Sequence, residues 1–169
     1  MAVRPILQYP TPVLKTRAEP VRDIDGALAR LVEDMAETMY AAPGVGLAAP
    51  QIGVSLRIVV LETPEMDEPL ALINPEFVRV SGERLVEEGC LSIPGYKAEI
   101  TRSVNVTVKG LTRDGRAIRI KANNDIFAQA LEHELDHIDG ILYTDYLDSP
   151  DQLRRLEPRD IQTQEVGGG

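Results

Sequence analysis

A chain of 169 residues suits a single domain, 1–169, long enough to bury a core without a second lobe. Its formal charge of −9 argues against broad electrostatic binding to nucleic acid, and no specific DNA binding is expected, because replacing phosphate counterions needs a lysine- and arginine-rich surface. One cysteine excludes an internal disulfide and no apolar stretch is long enough to cross a membrane, so a cytoplasmic protein is expected.

The opening MAVRPILQYPTPVLKTRAEP is broken by prolines and has no continuous apolar run of the signal-peptide kind. Asp25 suits the N-cap of an amphipathic helix in which Leu28, Leu31, Val32, Met35 and Met39 recur at helical spacing, ending near Ala42 before Pro43 and Gly44. The two methionines read as core packing. Residues 44–53, GVGLAAPQIG, are too rich in glycine and proline for a helix or a central strand and read as a structured loop. Strands are predicted over 56–61, 70–73, 77–80 and 84–87. Segments 104–111 and 117–122 alternate apolar and polar residues about Asp114-Gly115, which predicts an antiparallel hairpin with one wet face. Asn123 or Asn124 caps a second helix that begins with Asp125 and stops at Gly140. Ser149-Pro150 opens a short terminal helix over 151–156, limited by Pro158, and the tail after about residue 157 is expected to be flexible. The fold class is α+β: antiparallel strands packed around the second helix, with the first amphipathic helix and the short terminal one beside them.

Both histidines fall inside one five-residue string, His133-Glu134-Leu135-Asp136-His137. On a helix, residues four apart share a face one turn up, so both imidazoles can bind one metal ion with Glu134 beside it as a base. A catalytic site normally adds a third protein ligand and keeps a position for water. No histidine follows, and Glu157 and Glu165 sit in no recognisable acidic helix. Cys90 lies upstream in the tight setting EEGCLSIPG and is the candidate third ligand, although a free cysteine is more often a small buried hydrophobe.

Three separated segments, GVGLAAPQIG, EGCLSIPG and HELDH, in this order and with these separations, closely resemble the peptide deformylases. The resemblance runs from the proline-rich arm to about residue 147. It implies a monomeric enzyme that removes the formyl group from the N-terminal formyl-methionine of nascent polypeptides. It implies one divalent metal per chain, usually Fe²⁺ with Zn²⁺, Ni²⁺ or Co²⁺ as substitutes, held by Cys90, His133 and His137. Glu134 becomes the general acid and base, while the Gln51 amide and the Leu91 backbone N–H stabilise the oxyanion. Gly46 lets the substrate backbone approach, and Val45, Val86, Glu88, Ile126, Gln129 and Ala130 align with the pocket for the methionine side chain. Two positions depart from the family pattern. Glu132 stands where Gln is common and is expected to face solvent. Lys97 stands where some members have Arg, keeping the charge without the forked hydrogen bonding.

The competing readings are a zinc endopeptidase or other amidase on the same helix, a structural metal-binding domain, and a cysteine hydrolase pairing Cys90 with a histidine. Ribosome docking draws no support from the tail, where three arginines face four acidic residues between positions 150 and 169.

Overall fold

Four consecutive apolar residues, Ile58-Val59-Val60-Leu61, need cover on both sides of the strand they form, because successive side chains point to opposite faces. The computed structural model, which describes residues 2–156, supplies that cover with one helix on each face. In chain order the elements are α1 (Gly26–Ala41), β1 (Gly46–Ala48), β2 (Ile58–Leu61), β3 (Leu70–Ser81), β4 (Arg84–Cys90), β5 (Ile93–Arg102), β6 (Asn105–Leu111), β7 (Ala117–Asn123), α2 (Ile126–Ile138) and β8 (Arg154–Arg155). Strands β1-β2-β3-β6-β7 form one sheet and β4-β5-β8 a second, each neighbouring pair antiparallel, so the class is α+β.

Ile58 and Val60 pack with Leu28, Leu31, Met35 and Met39 of α1. Val59 and Leu61 pack on the other side with Leu131, Leu135 and Ile138 of α2. Local signals set the ends of both helices. The Asp25 carboxylate accepts from Leu28 N–H at 3.0 Å and the Asp125 carboxylate from Ala128 N–H at 2.8 Å, each satisfying an orphan donor of a first turn. At the far end of α2, Arg57 donates to the Ile138 carbonyl at 2.9 Å and to Asp139 at 2.8 Å, placing a cation where the helix carbonyls run out. Gly140 then turns the chain with φ +76°, and a Cβ there would lie 2.8 Å from the Lys15 carbonyl, so glycine is required twice over.

The first helix and the β6–β7 hairpin follow the expectation closely. Val106, Val108 and Ala122 are buried while Lys109, Arg119 and Lys121 on the same strands are exposed. Elsewhere the structure corrects the sequence reading. Within 44–53 lies an edge strand, β1, followed by a 3-10 turn over Ala49–Ile52; three residues with a single neighbour leave too short a pattern to read. Segments 70–73 and 77–80 are one strand, β3, whose register slips around Asn74-Pro75, where proline has no N–H to give the ladder. There the Asn74 side chain turns to accept from Val21 N–H and donate to its carbonyl.

Segment 84–87 continues to Cys90, and β5 was not anticipated, because Pro94, Gly95 and the polar residues at 97, 99, 101 and 102 mask a strand that buries Ala98 and Ile100. The cap of α2 is Asp125, not Asn123, which ends β7, or Asn124, which takes the left-handed turn at φ 47°. The terminal helix over 151–156 is a single 3-10 turn, Pro150–Gln152, followed by β8 on the edge of β5. Ser149 does cap that turn, but Leu153 is drawn into the apolar cluster around Cys90 and the chain leaves extended. The flexible tail expected after residue 157 lies outside the described residues. Among the described residues no helix is long and apolar enough to cross a membrane.

Met35 is fully buried between α1 and β2, so Met35→Ala should lower unfolding free energy by about 2–5 kcal/mol, read as a reduced midpoint in urea.

Candidate metal centre and active site

The α2 backbone sets His133 and His137 one turn apart on a helix face packed into the protein, and both rings are almost wholly buried, at 2% and 1% exposure. Cys90 ends β4, where a register shift between Glu88 and Cys90 in the β4–β5 ladder precedes the turn. Its sulfur is 3.3 Å from His137 Nε2, which is 3.1 Å from His133 Nε2, and the three donor atoms all lie within 4.8 Å of one another. Donors bonded to one tetrahedral cation at about 2.0–2.3 Å stand roughly 3.3–3.6 Å apart. The residues present therefore fit a divalent metal held by one thiolate and two imidazoles.

Behind His133 runs a hydrogen-bonded charge network. His133 Nδ1 is 2.5 Å from Glu88 Oε1, and although burial works to lower the pKa of the ring, Glu88 and Cys90 outweigh it and raise it well above the ordinary value; a cation bound at Nε2, which faces His137, would take the place of the proton there. Glu88 is fully buried and also accepts from Arg102 through a two-pronged contact and from Gln129 Nε2 at 3.2 Å. Arg102 reaches on to Asp136 Oδ2 at 2.7 Å, an oxygen that also accepts from Tyr146 OH at 2.7 Å. Burial works to raise the pKa of Glu88, but His133 and Arg102 outweigh it and hold the carboxyl down at about 2. By contrast, His137 Nδ1 has no hydrogen-bond partner among the described residues, and burial together with the nearby His133 and Arg102 charges depresses its pKa well below the ordinary value, keeping the ring neutral as a ligand must be.

Glu134 is buried, and among the described residues neither carboxyl oxygen has a hydrogen-bond partner. Desolvation dominates its environment and pushes its pKa up to about 8. Gly46 on β1 makes the room for this carboxylate: a Cβ at Gly46 would stand 2.5 Å from Glu134 Oε2 and 2.9 Å from its Cδ and Cγ. Gln51, in the 3-10 turn after β1, accepts from Ala48 N–H at 3.0 Å through Oε1 and presents Nε2 at 3.1 Å from Ser92 Oγ and 3.9 Å from Cys90 Sγ.

Leu91, half-buried, lines a cleft of about 250 Å³ with Ile6, Cys90, Ile93, Tyr96 and Leu156. Of the residues aligned with a methionine pocket, Val45 and Ala130 belong to the core between α2 and the five-stranded sheet, Val86 packs beside the Cys90 cluster, and Ile126 is half-buried in the first turn of α2. Gln129 touches the Glu87 carbonyl and Glu88, and the Glu88 carboxylate is engaged with His133 and Arg102. Glu132 does not face open solvent: it accepts from Ser103 N–H at 2.6 Å and from Ser103 Oγ at 3.1 Å, because the turn between β5 and β6 comes up against α2 there. Lys97 is buried on β5, with Nζ 3.9 Å from Glu87. Sequence reasoning missed Ser92, Arg102 and Tyr146 entirely. Asp136 carried a signal, since it sits inside the histidine string.

A buried set of one cysteine sulfur and two imidazoles, with a carboxyl on the same helix that has no hydrogen-bond partner among the described residues, in an α+β frame, is the equipment of a metal-dependent hydrolase. The family model for polypeptide deformylase matches residues 3–153, and the chain belongs to that family. A peptide deformylase of Dehalococcoides mccartyi (strain CBDB1) is 54% identical over 166 residues, covering 98% of this chain and 99% of the other. The crystal structure of a peptide deformylase from Legionella pneumophila superposes with a TM-score of 0.86 at 42% identity, covering 98% of this chain and 94% of that one. The peptide deformylase of Synechococcus elongatus in complex with actinonin gives 0.83 at 35% identity, covering 87% and 82%.

Gly46→Ala should displace the Glu134 carboxylate and cut turnover by roughly tenfold or more while leaving bound metal stoichiometric, measured by kinetics beside elemental analysis. The raised pKa of Glu134 also carries a sign. The native state holds that proton up to about pH 8 while the unfolded chain releases it near 4.5, so stability from this group is full below 4.5 and is lost as pH rises toward 8. Urea unfolding of metal-free protein should therefore show Glu134→Gln gaining stability over the parent at pH 8 relative to pH 4.5; an equal difference at both would contradict a dry, unpaired carboxyl.

Proposed function

We propose that this deformylase hydrolyses the formamide of N-terminal formyl-methionine on newly synthesised polypeptides, releasing formate, with a divalent metal held by Cys90, His133 and His137. The observation that carries this reading is the convergence of those three donor atoms within 4.8 Å beside the unpartnered Glu134 carboxylate. When bound, the cation supplies Lewis acidity toward the formyl oxygen and toward water. The chain's own groups do the rest. Glu134, dry and free of partners, takes the proton from the attacking water and returns it to the leaving amine. Gln51 through its amide and Leu91 through its backbone N–H donate to the formyl oxygen as negative charge develops there. Gly46 admits the substrate backbone beside Glu134, and Val45, Val86, Glu88, Ile126, Gln129 and Ala130 receive the methionine side chain.

The thiolate lowers the net charge of the donor set and favours soft-tolerant ions, so ferrous iron is the proposed metal, with Zn²⁺, Ni²⁺ or Co²⁺ able to substitute. The helix α2 with its H-E-x-x-H string is the element about which the strands are organised. The chain is further taken to act as a cytoplasmic monomer on peptides leaving the ribosome.

Formate release from formyl-Met-Ala-Ser, assayed anaerobically with ferrous iron, is the direct test. Glu134→Ala should keep its metal and turn over at least about a hundredfold more slowly. Chelation should abolish activity and metal return restore it; chelator-insensitive turnover would favour a cysteine nucleophile, and cleavage of unformylated peptides an endopeptidase.

A further inference from the structure

We propose that Ser92 is a positioning residue for this reaction, its hydroxyl locking the Gln51 side-chain amide in the one orientation that offers a hydrogen to the reacting oxygen. The role rests on the reading of Gln51 as an oxyanion donor given above. An amide can be turned end for end, and the two orientations would present a donor or an acceptor to the site. Here the choice is dictated from both sides. The Ala48 N–H can only donate, so the atom 3.0 Å from it must be the amide oxygen, and the nitrogen must face the other way. That nitrogen meets Ser92 Oγ at 3.1 Å, which takes one of its two hydrogens, and stands 3.9 Å from Cys90 Sγ, leaving the second hydrogen on the side of the donor set.

Both side chains are wholly buried, at 0% exposure, so bulk water does not compete for these bonds. The two backbones are held as well. Leu7 N–H donates to the Gln51 carbonyl at 2.7 Å and Tyr9 N–H to the Ser92 carbonyl at 2.9 Å, so the amino-terminal arm ties the turn after β1 to the turn after β4. Ser92 acts through Gln51, because its hydroxyl is occupied by the amide it orients. Without that acceptor, Gln51 keeps the Ala48 bond but can swing about it, and a donor swung off line weakens steeply.

The test is a double-mutant cycle on metal-loaded enzyme with formyl-Met-Ala-Ser, following kcat, KM and metal content. Ser92→Ala removes one hydroxyl and adds no bulk, so the fold is retained. It should lower kcat about tenfold, with KM within about twofold and full metal occupancy. Gln51→Ala should lose more, roughly a hundredfold, and adding Ser92→Ala to it should cost nothing further. An unchanged kcat in Ser92→Ala, a loss explained by missing metal, or losses that multiply in the double variant would each overturn the positioning role. An unchanged kcat in Gln51→Ala would instead remove the donor role on which it stands.

Discussion

Three donor atoms gathered in a dry interior, one sulfur and two ring nitrogens, hold together only with positive charge among them. Cys90, His133 and His137 impose that condition, and the surrounding structure is organised to meet it. Glu88 orients the His133 ring from behind, His133 and Arg102 together keep Glu88 ionised, and Asp136 balances Arg102. Each link is buried, so the loss of any one leaves a charge without a partner in low dielectric, the costly case. The donors themselves come from two elements, the end of β4 and the second half of α2, and the network stitches those two elements together where they face each other.

Precision at the centre depends on the doubly covered strand as well as on the residues around the donor atoms. Because β2 buries side chains on both faces, α1 and α2 are both clamped to one sheet, and β1 at its edge is held at a fixed distance from α2. Gly46 and Glu134 approach so closely that this distance leaves no room for a single carbon. Such contact is useful only if the separation does not drift, which close-packed apolar faces ensure.

The parts legible in sequence were those carried by period and by rarity. Helical spacing from Leu28 to Met39 and strict alternation at 104–111 and 117–122 gave α1 and the β6–β7 hairpin nearly to the residue. The two histidines four apart and the lone Cys90 in its tight setting stood out by rarity, the resemblance joined them as one ligand set, and the structure brings their donor atoms together. Strand β5 stayed hidden because half of its buried residues are charged: Lys97 and Arg102 look like surface residues until Glu87, Glu88 and Asp136 are placed beside them. Pairings such as Arg102 with Glu88 or Ser103 with Glu132 join residues 14 and 29 apart and leave no periodic mark. The strand β8 was misread as helix because a serine cap and a proline announce a turn's start but say nothing about its length.

Charge accounting explains why Glu134 can be left without partners. Arg102 lies between two carboxylates, so the network of Glu88, Arg102 and Asp136 carries one net negative charge, directed at His133 rather than at the open side of the site. A divalent ion on one thiolate and two neutral imidazoles leaves one net positive charge among the donors. Glu134 lies on the same helix, where burial raises its affinity for a proton, and a cation held by those donors would favour its ionised form. The proton transfers proposed for Glu134 suit a carboxyl without hydrogen-bond partners among the described residues better than a fully hydrogen-bonded one such as Glu88, whose pKa is held at about 2. The same helix therefore carries, one residue apart, a carboxyl without hydrogen-bond partners among the described residues and an imidazole fixed from behind by Glu88.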